Sequence, residues 1–268
     1  MNSNDWILKG AHGEFIHGTT RLSSSKPQRA VALVAHGFKG YKDYGMFPWL
    51  ANQLASFGIT THRFNFSHSG MLKGIDDFER PDLFMRDTWN KQVEDLKVLS
   101  ETLCQEGLPF YLIGHSRGGV SCLLSVGRGN IIPDKIISLS APSTCLSLSL
   151  EEQEQLLSNG FLNSPSSRTG QLLQVGVNYL QEQLDSPDKH NLLDLVSRIR
   201  IPTLIIHGDS DTSVPIEHGR EIANAAHDSL FVPIGGGNHI FNTPNPFVEF
   251  GNPSPELMAV WETIRQFV

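Results

Sequence analysis

The chain has only three cysteines, Cys104, Cys122 and Cys145, in 268 residues, and no two stand in Cys-x-x-Cys spacing. An odd, scattered set excludes a disulfide framework and reads as reduced thiols used as small buried side chains. Positive charge is also in short supply: 21 lysines and arginines against 28 acidic residues leave a net charge of −7. That excludes the basic footprint of a nucleic-acid binder, and no cluster of lysine or arginine marks a membrane surface. No segment approaches the roughly 20 apolar residues needed to span a bilayer. The opening residues, Met1-Asn2-Ser3-Asn4-Asp5-Trp6, have neither the basic nor the apolar region of a secretory leader. A bacterial-type cytoplasmic location is the resulting expectation. The 11 histidines show no His-Glu-x-x-His spacing, so no metal and no other cofactor is expected. Internal repeats and low-complexity tracts are absent as well.

What is present is a large, evenly mixed chain. Apolar residues make up 39% and charged residues 18%, which suits a sizeable core and argues against disorder. The length lies within the range of single α/β domains. Short β-rich runs alternate with helical periodicity, the pattern of a mostly parallel sheet with helices on both faces. Residues 13–20 read as an early strand, pairing as a hairpin with 5–9. The run Ala30-Val31-Ala32-Leu33-Val34-Ala35 is continuously apolar, as in strands buried on both faces. A helix is expected over 46–57, a strand over 59–64, and a helix over 88–106. In the last, Trp89, Val93, Leu96, Leu99 and Leu103 form one stripe, with Asp87 as cap and Gly107 as stop. Further strands are expected at 109–113, 135–140, 202–206 and 229–233.

Between the strands at 135–140 and 202–206 the composition changes. Residues 143–198 are polar and rich in Gln, Ser and Asn. They open on a capping box, Ser149-Leu150-Glu151-Glu152, which should start a short helix ending near Gly160. The turn-rich stretch 163–167 separates that helix from 171–184. The segment reads as a lid inserted into a core domain formed by 1–142 and 199–268. Its Phe161, Leu172 and Tyr179 either line an apolar pocket or form a small core of its own.

The chemistry-bearing motif is Gly114-His115-Ser116-Arg117-Gly118, directly after the apolar run Phe110-Tyr111-Leu112-Ile113. Gly-x-Ser-x-Gly between a strand and a helix is a nucleophile elbow, a sharp turn that holds the serine hydroxyl outward. Side chains in place of either glycine would strike the neighbouring strand and helix. A serine hydroxyl is a poor nucleophile at neutral pH, so Ser116 needs a base and the base an orienting carboxylate. Downstream, the strand Ile201–Ile206 runs into His207-Gly208-Asp209-Ser210-Asp211-Thr212-Ser213-Val214-Pro215. The strand Leu230–Pro233 runs into Gly235-Gly236-Gly237-Asn238-His239-Ile240-Phe241. His239 follows the last strand in a glycine-rich loop, and Asp209 and Asp211 compete for the carboxylate. The order Ser, Asp, His is that of the α/β-hydrolases.

These three motifs, with His36-Gly37-Phe38-Lys39-Gly40 after the first apolar strand, resemble the elbow, acid loop, histidine loop and oxyanion loop of the α/β-hydrolase superfamily. The likeness covers about residues 28–268. Within the superfamily the chain is similar to small bacterial serine esterases of the feruloyl (cinnamoyl) type, which carry a lid after the sixth strand. The resemblance implies a triad of Ser116, Asp211 and His239, since the family pattern Gly-x-x-Asp-x-x-Val-Pro falls on Asp211. Asp209 is left to a turn hydrogen bond. It also implies an oxyanion hole built from the backbone N–H groups of Phe38 and Arg117. His36 and His115 are expected to be structural, hydrogen-bonding to backbone near the oxyanion loop, His207 to be a strand-end residue, and His68 to line the pocket or sit in a turn. Arg117 is a departure, because related esterases often have an uncharged residue there; its side chain is expected to pair with a carboxylate of the core or lid.

The activity implied is hydrolysis of a small-molecule carboxylic ester through an acyl-enzyme on Ser116. Thioesterases, short-peptide peptidases and acyltransferases use the same three residues, and fold analogy does not choose among them. An elbow serine disfavours epoxide hydrolases and dehalogenases, which carry aspartate there. A binding protein on the same scaffold is a further alternative, although such proteins usually lose a triad member. A homodimer is compatible with the sequence, and no feature argues for it.

Overall fold

The computed structural model describes residues 3–23, 27–104, 107–247 and 250–268. The chain opens with the hairpin β1 (Ser3–Lys9) and β2 (Phe15–Arg21), followed by β3 (Ala30–Ala35), α1 (Phe47–Ser56) and β4 (Ile59–Asn65). Next come α2 (Pro81–Met85), α3 (Trp89–Leu103), β5 (Phe110–His115), α4 (Arg117–Gly127) and β6 (Lys135–Leu139). Residues between β6 and β9 form α5 (Leu150–Asn159), β7 (Phe161–Pro165), β8 (Leu172–Gly176), α6 (Asn178–Asp185), α7 (Pro187–His190) and α8 (Leu192–Ser197). The chain closes with β9 (Thr203–Gly208), α9 (Ile216–Ala225), β10 (Ser229–Ile234) and α10 (Pro255–Phe267).

Eight strands make one sheet in the order β1-β2-β4-β3-β5-β6-β9-β10. The six from β4 to β10 run parallel, and β2 joins β4 antiparallel. Alternation along each central strand supplies two apolar faces. Leu33 and Ala35 of β3 and Leu112 of β5 meet α3, α4 and α8 on one face. Ala32 and Val34, with Ile113, meet α1 and α10 on the other. The expected fold class is therefore the one found, and the strands agree to within two residues at each end. No helix among the described residues is long and apolar enough to cross a membrane.

Two expectations need correction. The helix expected over 88–106 ends at Leu103, and residues 105–106 lie outside the described set. Asp87 does not cap it: the N-cap position is Thr88, with no side-chain cap bond. The exposed N–H groups at this helix start are taken instead by Glu182 of α6, which accepts from Trp89 N at 2.6 Å and from Asn90 N at 3.3 Å. A carboxylate there also meets the positive end of the helix dipole. The second correction is the antiparallel hairpin of β7 and β8 within 161–176, where the sequence predicts only a turn. Its residues do not alternate cleanly, and its turn is held by other loops. Gln171 bonds the backbone of Phe78 in both directions, Lys39 donates to the Pro165 carbonyl, and Arg168 donates to the Ile75 carbonyl.

The capping box is present in full: Glu152 N donates to Ser149 Oγ, Ser149 N donates to Glu152, and the helix ends on Gly160 in the left-handed region. Leu192, Leu195 and Val196 of α8 join the apolar cluster around α4. Cys122 and Cys145 are buried and Cys104 partly so, and all three thiols are free. Burial pushes Cys104 and Cys145 up to about 12, which leaves them as protonated packing groups.

Candidate active site

β5 delivers the chain to Ser116 in a conformation that L-residues rarely adopt, φ +53° and ψ −124°, before α4 starts at Arg117. Strain of this kind persists because the surroundings over-determine it. Ser116 N donates to the Leu139 carbonyl of β6 at 2.8 Å, and the Ser116 carbonyl accepts from Gly119 N at 2.9 Å. Both flanking glycines are required by close approach. A Cβ on Gly114 would stand 2.4 Å from the Gly118 oxygen, and one on Gly118 would stand 2.5 Å from the carbonyl oxygens of Ala35 and His36. The turn thus brings the start of α4 against the end of β3.

The acid loop follows β9. Asp211 Oδ1 accepts from the N–H groups of Ser213 and Val214, both at 2.9 Å, which leaves Oδ2 directed at His239 Nδ1 at 2.7 Å. Burial alone would raise this carboxyl, but the His207 and His239 rings and the Val214 N–H outweigh it and hold it below the usual carboxylate range. A carboxylate only accepts, so Nδ1 carries the imidazole proton and Nε2 is free to accept. His239 Nε2 lies 3.0 Å from Ser116 Oγ. Three loops at the carboxyl ends of β5, β9 and β10 therefore bring Ser116, Asp211 and His239 into one hydrogen-bonded row.

Neighbouring residues hold that row. Asp209 Oδ1 accepts from Gly236 N at 2.8 Å, the turn bond expected of it, and so ties the acid loop to the histidine loop. His115 Nε2 donates to the His239 carbonyl at 2.8 Å; its ring is pushed down to about 3 by burial and by the His239 ring. This corrects its expected place, since it braces the histidine loop and not the oxyanion loop. His36 does brace the loop after β3, the expected oxyanion loop, bonding the Gly37 carbonyl at 2.8 Å and accepting from Phe66 N at 3.2 Å. Burial pushes it down to about 4, so it stays neutral. His207 is buried in β9 and donates to the Val214 carbonyl at 2.8 Å. His68 lies buried beside Ser67, outside both cavities described next.

Gly37 lies directly against Ser116, where a Cβ would meet that of Ser116 at 3.0 Å. The Phe38 and Arg117 N–H groups donate to no acceptor among the described residues. Two cavities meet at Ser116. The larger, about 680 Å³, is lined by Phe38, Trp89, Arg117, Phe161 and Tyr179, and α5 contributes Glu152 and Gln155. The smaller, about 180 Å³, is lined by Phe38, Lys39, Tyr44, Arg168 and His239. Of the three residues left open by the sequence, Phe161 and Tyr179 line the larger cavity, whereas Leu172 is 62% exposed. In the sequence Trp89 is only part of a helical stripe. Its place on the cavity wall depends on contacts with Tyr179 and Arg117, which are distant in the chain or hidden within the elbow motif.

Arg117 pairs with the core carboxylate Asp87, Nη2 to Oδ2 3.2 Å apart. Burial pushes Asp87 up to about 6, opposed by Arg117 and by a bond from Gln92.

No family model matches the chain, and no curated protein matches its sequence. Solved structures do. Est1E from Butyrivibrio proteoclasticus, with ferulic acid bound, superposes with a TM-score of 0.76 at 20% identity, over 98% of this chain and 97% of that one. The esterase domain of a Rhodothermus marinus protein gives 0.67 at 21% identity, over 100% and 98%. Mouse alpha/beta hydrolase domain-containing protein 10 gives 0.72 at 15% identity, over 98% of both chains. At these identities the likeness carries the fold: this chain has the α/β-hydrolase fold over essentially its whole length.

Proposed function

We propose that the protein is a serine hydrolase that cleaves small-molecule carboxylic esters, with Ser116, His239 and Asp211 as its triad. The observation that carries this reading is the continuous row from Ser116 Oγ through His239 to Asp211 Oδ2, with links of 3.0 and 2.7 Å, at the junction of two cavities. Ser116 Oγ attacks the acyl carbonyl carbon while His239 Nε2 takes its proton. The carbonyl oxygen becomes an oxyanion, stabilised by the N–H groups of Phe38 and Arg117; one such donor is worth about 3 kcal/mol in related chemistry. His239 then delivers the proton to the leaving alcohol, and water, activated by the same imidazole, releases the acid. Asp211 keeps the proton on Nδ1 and stabilises the imidazolium.

His239 borders the smaller cavity and not the larger one. The group that receives its proton, the alcohol, therefore belongs in the smaller cavity and the acyl group in the larger. α5 and the β7–β8 hairpin act as the lid over the acyl side. Ferulic acid in Est1E makes methyl ferulate a natural test substrate beside aliphatic esters.

The test is turnover of p-nitrophenyl acetate, butyrate and octanoate and of methyl ferulate by wild type and Ser116→Ala, with fluorophosphonate labelling of both. The expected result is labelling at Ser116 and at least a roughly thousandfold loss in the variant. Equal rates in the two proteins, or no turnover of any ester, would overturn the reading.

A further inference from the structure

The residue after the nucleophile places a guanidinium on the floor of the larger cavity. Arg117 is 9% exposed, and its guanidinium carbon lies 4.6 Å from the Trp89 ring centre, 4.9 Å from that of Tyr179 and 5.4 Å from that of Phe38. Its charge is met by Asp87, but its hydrogen-bonding capacity is not. Nε and Nη2 are sealed from solvent without a hydrogen-bond partner, as is Asp87 Oδ1. Nη1 is not among the sealed atoms, and it donates to no group among the described residues. The pair is fixed from behind: Gln92 Nε2 donates to Asp87 at 2.7 Å, and Ser121 Oγ donates to Gln92 at 2.5 Å. The unsealed Nη1 is the donor that a ligand in the cavity can meet, and an acceptor placed there is selected over an apolar atom.

We infer that the Arg117 side chain is a specificity-determining contact, and that the cavity selects acyl groups with a neutral acceptor oxygen a few atoms beyond the scissile carbonyl. This rests on the proposed esterase reading, which puts the acyl group in that cavity. The short reach follows from sequence: Arg117 is adjacent to Ser116, so its guanidinium lies within one side chain of the reacting carbon. A neutral oxygen is favoured over a carboxylate because Asp87 already balances the cation, and a second anion would face Asp87. Alkoxy and oxo acids have the required chemistry. The aromatic walls accept the chain on either side of that oxygen.

The experiment compares isosteric methyl esters: 4-methoxybutanoate with hexanoate, and monomethyl glutarate with 5-methylhexanoate. kcat/KM is measured for wild type and for the double variant Asp87→Asn/Arg117→Met, which removes both charges together. Binding of the same esters to Ser116→Ala is followed by ligand-observed NMR. Wild type should favour the methoxy ester over hexanoate by about tenfold or more, and the double variant should reverse that order, since hexanoate is the more apolar. Comparing ratios removes any loss common to both substrates. Equal rates or a preference for hexanoate in wild type overturn the inference, as does a preference confined to the glutarate pair, which would mean that charge is read. If no ester turns over while Ser116→Ala keeps the binding preference, the reaction is wrong and the contact stands. Turnover without preference means the opposite: the esterase reading stands and the contact fails. The wild-type and Ser116→Ala measurements decide the matter even where the double variant does not fold.

Discussion

At the scale of single residues, two aspartates two positions apart have opposite tasks. Asp211 holds the imidazole proton on Nδ1, so Asp211→Asn leaves the packing and presents an amide that can stabilise the wrong tautomer. The expected loss in kcat is about 10⁴, measured on whichever p-nitrophenyl ester is turned over fastest. Asp209 Oδ1 accepts from Gly236 N and from Ser210 Oγ, and an amide oxygen can accept both. Asp209→Asn should therefore cost less than about tenfold. A larger loss from Asp209→Asn than from Asp211→Asn would reverse the assignment. The geometry also explains why this pair is ambiguous in the sequence. Both follow β9 within a turn, and only the N–H groups of Ser213 and Val214, which engage Oδ1, turn the second carboxylate towards the histidine.

At the scale of elements, the segment between β6 and β9 is joined to the rest of the chain by a few directed bonds as well as by apolar contact. Glu182 of α6 caps α3, whose first residue, Trp89, lines the larger cavity. Glu182→Ala should destabilise the protein by about 1 kcal/mol, the size of a lost helix cap, as read from the urea midpoint. It should also speed amide exchange at the start of α3 before it affects β5. Uniform protection along α3 would show that another group caps the helix. Asp95 of α3 has the same kind of task at the other edge of the sheet. Its two oxygens accept from Ala11 N at 2.7 Å and Ser67 N at 2.8 Å. Asp95→Asn keeps one acceptor and turns the other into a donor. The expected cost is about 1–3 kcal/mol, accompanied by loosening of the β1–β2 hairpin in hydrogen exchange.

At the scale of the whole molecule, buried titratable groups set the response to acid. Burial pushes His36 and His62 down to about 4, and His68 and His115 down to about 3. Below the ordinary histidine pKa of about 6.5 the unfolded chain takes up protons that the folded chain refuses, so each of the four loses stability as pH falls. Asp87 and Asp95 act in the opposite sense. Burial raises them to about 6 and about 7, so their stabilisation grows as pH falls from those values towards about 4. Four groups outweigh two, and the unfolding midpoint should drop between pH 6.5 and 4. Urea titrations at half-unit steps measure it; a midpoint that rises on acidification would show that the carboxyls dominate.

The parallel sheet, most strand positions and the order of elbow serine, acid loop and histidine loop are legible in the amino-acid order alone, whereas the choice of Asp211 over Asp209 is settled by the bonds around them. Apolar alternation, glycine spacing and loop composition are local properties that survive without knowledge of partners. The capping box at Ser149 is legible for the same reason, since its donors and acceptors lie three residues apart. What Arg117 faces, the capping of α3 by Glu182 in place of Asp87, and the pairing of 161–176 as a hairpin above the site emerge only once the chain is folded. Each of these depends on a contact with a segment far away in the chain. The choice between otherwise equivalent local arrangements is then made by which distant groups remain to be hydrogen-bonded or covered.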